Sequence, residues 1–176
     1  MRMKTAGVLF GALFLISAGC ASRSSPYVEG FRYAPEPALA VMLKQGTQTP
    51  SLSVMVSVIG LRQADSDNRL PPAIEVRMRF ENNGQAPITF DPHSASLVTG
   101  ALQSFDQPDA RPPAPLQIAP GQTQTQTLFF PFPPGSAPRT MALDSLRLRW
   151  QVQIDGQPYL QTAYFERASP LYYGAE

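Results

Sequence analysis

The segment Ala73–Phe90 most constrains how this chain can fold. Between Ile74 and Glu81 apolar residues alternate strictly with charged ones, in the order IEVRMRFE. A period of two residues with charge on one face is typical of an antiparallel strand that is packed on one side and solvated on the other. Asn82-Asn83-Gly84 comes next, and such residues tolerate positive φ, so we expect the chain to reverse before Ile88. The segment predicts a half-buried strand at the centre of a β fold.

Several other segments repeat this period of two and are joined by loops rich in proline and glycine. The long ones are Ser51–Arg62, Gln122–Phe132 and Leu146–Asp155, with shorter ones at Ser94–Thr99 and Leu102–Phe105. Asp155-Gly156 is a strong hairpin signal, which makes Gln157–Glu166 the antiparallel partner of the strand before it. Residues 106–115 and 133–140 are loops, because proline disrupts a strand ladder. Seven or eight such strands predict an all-β, antiparallel two-sheet sandwich.

The N-terminus reads as a targeting segment rather than as part of the fold. Arg2 and Lys4 precede the apolar run Val8–Ile16, and small residues lead to Cys20, the only cysteine. This order is typical of a secretory signal peptide, here residues 1–19. The apolar run is too short for a transmembrane helix, which needs about 20 residues.

The cysteine directly after Ala18-Gly19 resembles the lipobox of bacterial lipoproteins, with Ser17 where that family usually has leucine. The resemblance implies cleavage between Gly19 and Cys20, diacylation of the Cys20 thiol and acylation of the new N-terminus by chains such as palmitate. Ala21, rather than aspartate, implies an outer-membrane lipoprotein that faces the periplasm, with cell-surface exposure left open. The alternative is an ordinary signal peptide with an incidental cysteine.

Residues 20–50 form a predicted lipidated tether and approach segment, with a short helix at 36–45 that Gly46 would end. Three aromatic residues in this segment are unusual for a linker: Tyr27, Phe31 and Tyr33. The segment either lies on the sandwich or the membrane surface, or serves as an interaction segment. The sandwich itself is predicted over 51–167, followed by a C-terminal tail at 168–176.

Short sequence patterns within the predicted sandwich carry a second resemblance. The stretches ENNGQAPITFD, IAPGQT and LFFPFP are similar to those of small immunoglobulin-like domains in secreted bacterial lipoproteins, many of unknown function. The similarity covers Ser51–Glu166 and implies an immunoglobulin-like sandwich. The chain has no cysteine pair, so the disulfide of antibody domains does not carry over.

The charge and the reactive residues argue against nucleic acid and against catalysis. Removal of residues 1–19 lowers the basic count from 14 to 12, against 13 acidic residues, so no basic face for nucleic acid is expected. His93 is the single histidine, and with Asp91 and Ser94 it reads as a capped turn rather than a catalytic triad. Asp65, Asp67 and Asn68 read as a solvated turn rather than a calcium loop. We expect no enzyme activity, no cofactor and no metal site.

Two arginine pairs form the candidate interaction surface. Arg77 and Arg79, like Arg147 and Arg149, occupy the polar positions of their strands. Were these strands neighbours, the four side chains would form a positive stripe for lipid headgroups or an acidic protein. The alternative is a mixed, solvated face.

Together these features predict a membrane-anchored, non-catalytic envelope lipoprotein that binds another envelope protein. The loops at 106–115 and 133–138 are candidate contact surfaces, since loops on a rigid sandwich often bind partners. Two alternatives stay open: a structural accessory subunit of an envelope or secretion assembly, and a carrier of a small molecule or metal.

Overall fold

The computed structural model describes residues 25–34, 39–44, 50–64 and 70–168. Within these residues it has eleven β-strands and one turn of 3₁₀ helix at Pro92–Ser94. The strands are β1 Tyr33–Ala34, β2 Leu39–Lys44, β3 Pro50–Arg62, β4 Ala73–Asn82, β5 Ile88–Phe90, β6 Ser96–Thr99, β7 Asp109–Arg111, β8 Leu116–Ile118, β9 Thr123–Pro131, β10 Ser145–Ile154 and β11 Gln157–Arg167. In this part of the chain, no helix has the length and apolar character needed to cross a membrane.

The strands form two antiparallel sheets that pack face to face. Sheet A has the order β2-β3-β4-β9-β7, and sheet B has the order β1-β11-β10-β5-β8, with β6 also paired to β10. The predicted all-β antiparallel sandwich is confirmed. Its strands outnumber the seven or eight expected because β1, β2, β7 and β8 come from segments that were not predicted as strands, whereas one predicted strand, Leu102–Phe105, is not formed.

The strand predicted as the centre lies between two long partners. β4 pairs with β3 on one side and with β9 on the other along nearly its full length. Its apolar residues face sheet B, where the ring centroid of Phe80 lies 4.7 Å from that of Phe90 on β5. The largest fully buried side chains are Trp150, Tyr33, Phe80, Phe90, Phe130 and Phe165. Packing of these two inner faces forms a single core.

The predicted helix at 36–45 is wrong for the residues that the structure describes there. Leu39–Lys44 is strand β2, which pairs antiparallel with the outer edge of β3. A helix this short is marginal in water, whereas the free edge of β3 offers a hydrogen-bonded ladder to the same backbone. The sandwich therefore begins before residue 51 and takes strands from the predicted approach segment.

The aromatic residues of the approach segment pack on the sandwich. The Tyr33 hydroxyl donates a 2.9 Å hydrogen bond to the carbonyl of Leu143, and burial raises the pKa of Tyr33 to about 12. Tyr27 donates to Glu75 Oε2 at 2.8 Å, and the guanidinium of Arg167 lies 4.1 Å from the ring centroid of Phe31. The described residues 25–34 of this segment thus pack on the sandwich, and a role as an interaction segment stays a prediction.

Replacing Tyr33 with phenylalanine should weaken the fold and alter its response to alkali. Loss of the bond to Leu143 is expected to cost about 1 kcal/mol at neutral pH. The folded pKa near 12 exceeds the ordinary value of 10.0, so the phenol's contribution is complete below pH 10 and declines as the pH rises to 12. Urea unfolding of Tyr33→Phe across this range should therefore show a shallower loss of stability than the wild type.

The matched control for this prediction is Tyr164→Phe, because Tyr164 is exposed on the same sheet. Its hydroxyl is expected to contribute nothing measurable. Some loss with pH should persist in Tyr33→Phe, since burial and the bond to Glu75 also raise the pKa of Tyr27 to about 12. Equal slopes for Tyr33→Phe and wild type would show that Tyr33 titrates as freely as in the unfolded chain.

One loop prediction and one strand prediction also need correction. Asp109–Arg111, within the loop predicted at 106–115, is the edge strand β7 and pairs with β9. Its flanking prolines agree with an edge position, where backbone donors are dispensable. The strand predicted at Leu102–Phe105 is instead a turn, in which Ser104 makes one isolated bridge to Val98.

The chain does not form a hairpin after Asn82. β4 lies in sheet A, and the next strand, β5, pairs with β10 and β8 in sheet B. Asn82 is buried rather than exposed in a turn: its Nδ2 donates to the carbonyls of Ala86 and Ile118, both at 2.9 Å, and its Oδ1 accepts from Gly84 N–H at 3.0 Å. This side chain joins the end of β4 in sheet A to β8 in sheet B.

Candidate binding surface

The residues considered for a triad form a capped turn, as predicted. The Asp91 carboxylate accepts a 2.9 Å hydrogen bond from the backbone N–H of the exposed His93. The Ser94 hydroxyl donates to the backbone carbonyls of Asp91 and Gln151, at 2.7 and 3.0 Å. The serine and the carboxylate thus bond to backbone groups. In the described ranges no group of three or more His, Cys, Asp or Glu residues is arranged to hold a metal ion.

Four predicted features lie outside the described residues. They are the signal peptide, the Gly19-Cys20 cleavage and lipidation site, the turn with Asp65, Asp67 and Asn68, and the C-terminal tail beyond Ala168.

The four arginines of the predicted stripe do not come together. Arg77 and Arg79 project from β4 in sheet A, whereas Arg147 and Arg149 project from β10 in sheet B. Both pairs occupy the outward positions of their strands, so they lie on opposite faces of the sandwich. The condition for one continuous stripe, that the two strands are neighbours, is not met, and each pair has its own surroundings.

On the outer face of sheet A the arginines have carboxylate partners. Arg77 Nη2 lies 3.6 Å from Glu75 Oε1, and Arg79 Nη2 lies 3.4 Å from Glu81 Oε1. Glu75 is almost fully buried on this outer face and also accepts the hydroxyl of Tyr27. The positive charge of this pair is therefore balanced within its own strand.

On the outer face of sheet B the arginines lack such partners. Neither Arg147 nor Arg149 has a carboxylate within 4.0 Å among the described residues. Glu166 lies diagonally from Arg147, since it pairs with Ser145 on the neighbouring strand, and it forms no ion pair with that arginine. The Nε of Arg147 is shielded from solvent and has no hydrogen-bond partner in the described part of the chain. This face thus has a net positive region.

Large apolar side chains lie beside these two arginines. Tyr164 pairs with Arg147 in the β10–β11 ladder and is 66% exposed, and Leu160 pairs with Gln151 and is 56% exposed. Leu102, in the turn after β6, is 69% exposed and has φ 62°, a left-handed conformation that is costly for leucine. We call Leu102, Arg147, Arg149, Leu160 and Tyr164 the sheet B surface.

A shallow hollow of about 220 Å³ lies between the turn after β6 and strand β11. Gly100 and Ser145 both line it and approach each other closely, since a Cβ on Gly100 would lie 2.1 Å from Ser145 Oγ. Its walls include Thr99, Leu102, Arg147, Tyr164 and Glu166. The hollow is thus lined by apolar groups of Leu102 and Tyr164 and by two opposite charges, Arg147 and Glu166.

The apolar part of this surface was missed at the sequence level, although a signal for it exists. In the stretch YLQTAYF of β11, Tyr159, Ala163 and Phe165 occupy the inward positions, as the alternation requires. Leu160 and Tyr164 then fall on the outward face, where polar residues are the rule. Apolar residues on both faces of an edge strand indicate a partner surface.

Comparisons with known proteins assign no family. No family model matches the chain, and no curated protein is similar to it.

Among solved structures, a structural genomics target named SoR45 is 11% identical, with a TM-score of 0.39, over 72% of this chain and 92% of that one. The structure described as ApaA of Bordetella pertussis is 18% identical, with a TM-score of 0.39, over 68% and 94% of the two chains. The yjhA protein of Bacillus subtilis is 13% identical, with a TM-score of 0.34, over 55% and 71%. Similarity at this level assigns neither a family nor a function.

Proposed function

We propose that this protein is a lipid-anchored binding module of the bacterial envelope that recognises another envelope protein and catalyses no reaction. The proposal joins the lipobox-like sequence before Cys20 to a sandwich that presents a distinct contact face. Acyl chains each contribute about 0.8 kcal/mol per buried CH₂, so two or three chains on Cys20 would hold the body at the outer membrane. The module then works by contact rather than by chemistry.

The observation that carries the binding role is the contrast between the two outer faces of the sandwich. Sheet A pairs Arg77 and Arg79 with carboxylates, whereas sheet B leaves Arg147 and Arg149 unpaired beside exposed Tyr164. Tyrosine and arginine are enriched at protein interfaces, because each combines apolar area with polar groups. A surface of this composition supports a protein partner, and we place that partner on sheet B.

The anchoring half of the proposal predicts a specific mass and a specific location. Full-length chain made in a diderm bacterium should lose residues 1–19, gain three acyl chains and fractionate with the outer membrane. Cys20→Ala should lack the acyl mass and leave the membrane fraction, because no other anchor is proposed. Mass spectrometry and membrane fractionation measure both outcomes, with Ser22→Ala as a matched control that should behave as wild type.

The binding half is measured in the same cells by cross-linking and affinity purification. A protein that is recovered with wild-type chain in substoichiometric amounts fits a binding module, whereas a fixed stoichiometry within one assembly would make the chain a structural accessory. An unmodified Cys20 thiol on secreted material would contradict the anchor. Recovery of no protein above the Cys20→Ala background would contradict the partner.

A further inference from the structure

Most of one edge of strand β11 in sheet B has no partner strand among the described residues. Among the described residues, β1 pairs only with Glu166 and Arg167, so residues 157–165 have β10 as their single neighbour. The backbone N–H of Arg167 donates to the carbonyl of Asp144, which immediately precedes β10. The backbone N–H and C=O groups of the odd-numbered residues of β11 therefore point toward β10. In an antiparallel ladder the alternate residues then point their backbone groups outward. The backbone N–H and C=O groups of Leu160, Thr162 and Tyr164 therefore have no strand partner among the described residues.

Two other sheet edges, those formed by β7 and β8, are flanked by proline, whereas β2 forms the remaining edge of sheet A. β7 is three residues long and lies between Pro108 and Pro112, and β8 is three residues long and is preceded by Pro115. Such features protect an edge from pairing with another chain. On β11 the only proline is Pro158, at the beginning of the strand. The open stretch after it is long enough to accept a further strand.

We infer that the β11 edge binds an extended acidic segment of another protein, which adds to sheet B as a further strand. This inference rests on the proposed binding role and specifies where the partner binds and what its chemistry is. Main-chain bonds to Leu160, Thr162 and Tyr164 would supply register-specific affinity, and side chains of the segment would supply selectivity. Alternate residues of the segment point outward beside the sheet B surface and inward beside Tyr159 and Phe165.

Charge complementarity selects acidic residues for the outward positions. An added strand would lie two strand spacings, about 10 Å, from β10, which carries Arg147 and Arg149. Thr162 pairs with Arg149 and is the only β11 residue between that arginine and the new strand. Since threonine is short, a glutamate opposite Thr162 can reach the Arg149 guanidinium across it. Apolar residues suit the inward positions, because Tyr159 is partly buried against the core and Phe165 belongs to it.

The first test uses a defined probe and the purified full chain. A fluorescent peptide that alternates glutamate and valine should bind, with affinity that falls as salt rises, as measured by anisotropy. Arg147→Glu/Arg149→Glu should weaken binding by about tenfold or more, because attraction becomes repulsion. Arg77→Glu/Arg79→Glu changes the same charge on the other face and should leave binding unchanged. Equal losses in both double variants would overturn the inference.

A second variant tests the backbone edge separately from the charge. Thr162→Pro removes one backbone N–H that points to the open edge. The hydrogen bonds between β10 and β11 stay in place, because the backbone groups of Thr162 point away from β10. Binding of the peptide should fall to the level of the charge-reversed protein, whereas Thr162→Ala should bind as wild type. Circular dichroism identifies any loss of folding. A folded Thr162→Pro protein with unchanged binding would exclude strand addition.

Cross-linking in the envelope separates this inference from the proposed function. A photo-reactive residue at position 162 should form an adduct with another protein, and one at Thr125, on the outer face of sheet A, should not. Adducts at 125 alone would keep the binding module but overturn the β11 edge. An adduct with twice the mass of this chain would show that the β11 edge binds a second copy of the chain, which would overturn the acidic partner. If position 162 forms adducts only with lipid and the peptide does not bind, the surface contacts lipid headgroups and the inference is overturned.

Discussion

Replacement of Trp150 by alanine should be the most destabilising single change considered, with an expected loss of about 4 kcal/mol in the free energy of unfolding. Trp150 lies on the inner face of β10, the central strand of sheet B, and is fully buried. An aromatic side chain of this size fills volume that neighbours cannot close without moving, so a cavity adds to the lost transfer energy. A domain with 5–15 kcal/mol of total stability would lose a large share of it.

The indole nitrogen makes the Trp150 series informative. Nε1 of Trp150 is buried without a hydrogen-bond partner in the described part of the chain. An orphan donor costs about 1–3 kcal/mol, so Trp150→Phe removes that cost while it removes volume. We therefore expect Trp150→Phe to lose less than half as much stability as Trp150→Ala.

Urea unfolding followed by far-UV circular dichroism measures both variants, because the chain has one tryptophan and fluorescence is lost with it. Gln153→Ala is the control, since Gln153 is on the same strand and exposed. It should change stability by less than about 0.5 kcal/mol. A Trp150→Phe loss equal to that of Trp150→Ala would mean that the indole nitrogen is satisfied in solution.

Asn82→Ala should cost about 3 kcal/mol, the second largest effect. The substitution removes three hydrogen bonds and leaves the carbonyls of Ala86 and Ile118 and the N–H of Gly84 without that partner. Gly84 N–H retains its 3.0 Å bond to the carbonyl of Ser51, so the cost comes mainly from the two carbonyls, and a buried group left unpaired costs about 1–3 kcal/mol. Since the amide spans the two sheets, we expect unfolding to stay cooperative and the midpoint to fall.

Two further variants sharpen the Asn82 prediction. Asn83→Ala changes the adjacent exposed asparagine and should be nearly neutral. Asn82→Asp keeps the shape but turns a donor toward two carbonyls into a carboxylate, so it should destabilise more at neutral pH than in acid, where the group is protonated. A loss in Asn83→Ala as large as in Asn82→Ala would place the effect in the turn rather than in the buried amide.

The long strands and one hairpin follow from local pattern. β3, β4, β9 and β10 were each predicted from their period of two, which is a property of the strand itself. The hairpin between β10 and β11 was predicted from Asp155-Gly156, and Asp155 does have a positive φ of 52°. Such signals are local, because two adjacent residues decide the turn geometry.

The same local reasoning misread Asn82-Asn83-Gly84. None of these three residues has a positive φ among the described backbone, and the chain crosses to the other sheet instead of turning back. Asparagine suits both a turn and a buried hydrogen-bonding position. The choice between them depends on carbonyls such as that of Ile118, which are far away in sequence.

The candidate site was predicted only in part, for a related reason. The sequence indicated that Arg77, Arg79, Arg147 and Arg149 point outward, but not that β4 and β10 belong to different sheets. The carboxylate partners of one pair lie two residues away on the same strand. Among the described residues, the open edge beside the other pair follows from the position of β11, which has only the two-residue strand β1 beyond it in sheet B.

The amino-acid sequence by itself determined that the described chain is an antiparallel sandwich, because alternation of apolar and polar residues sets which face of each strand is buried. Only the tertiary structure decided which strands are neighbours, which edge stays open and which arginines remain unpaired. The physical reason is that strand order depends on long-range hydrogen bonds and inter-sheet packing, such as those of Asn82 and Trp150, and no local pattern encodes them.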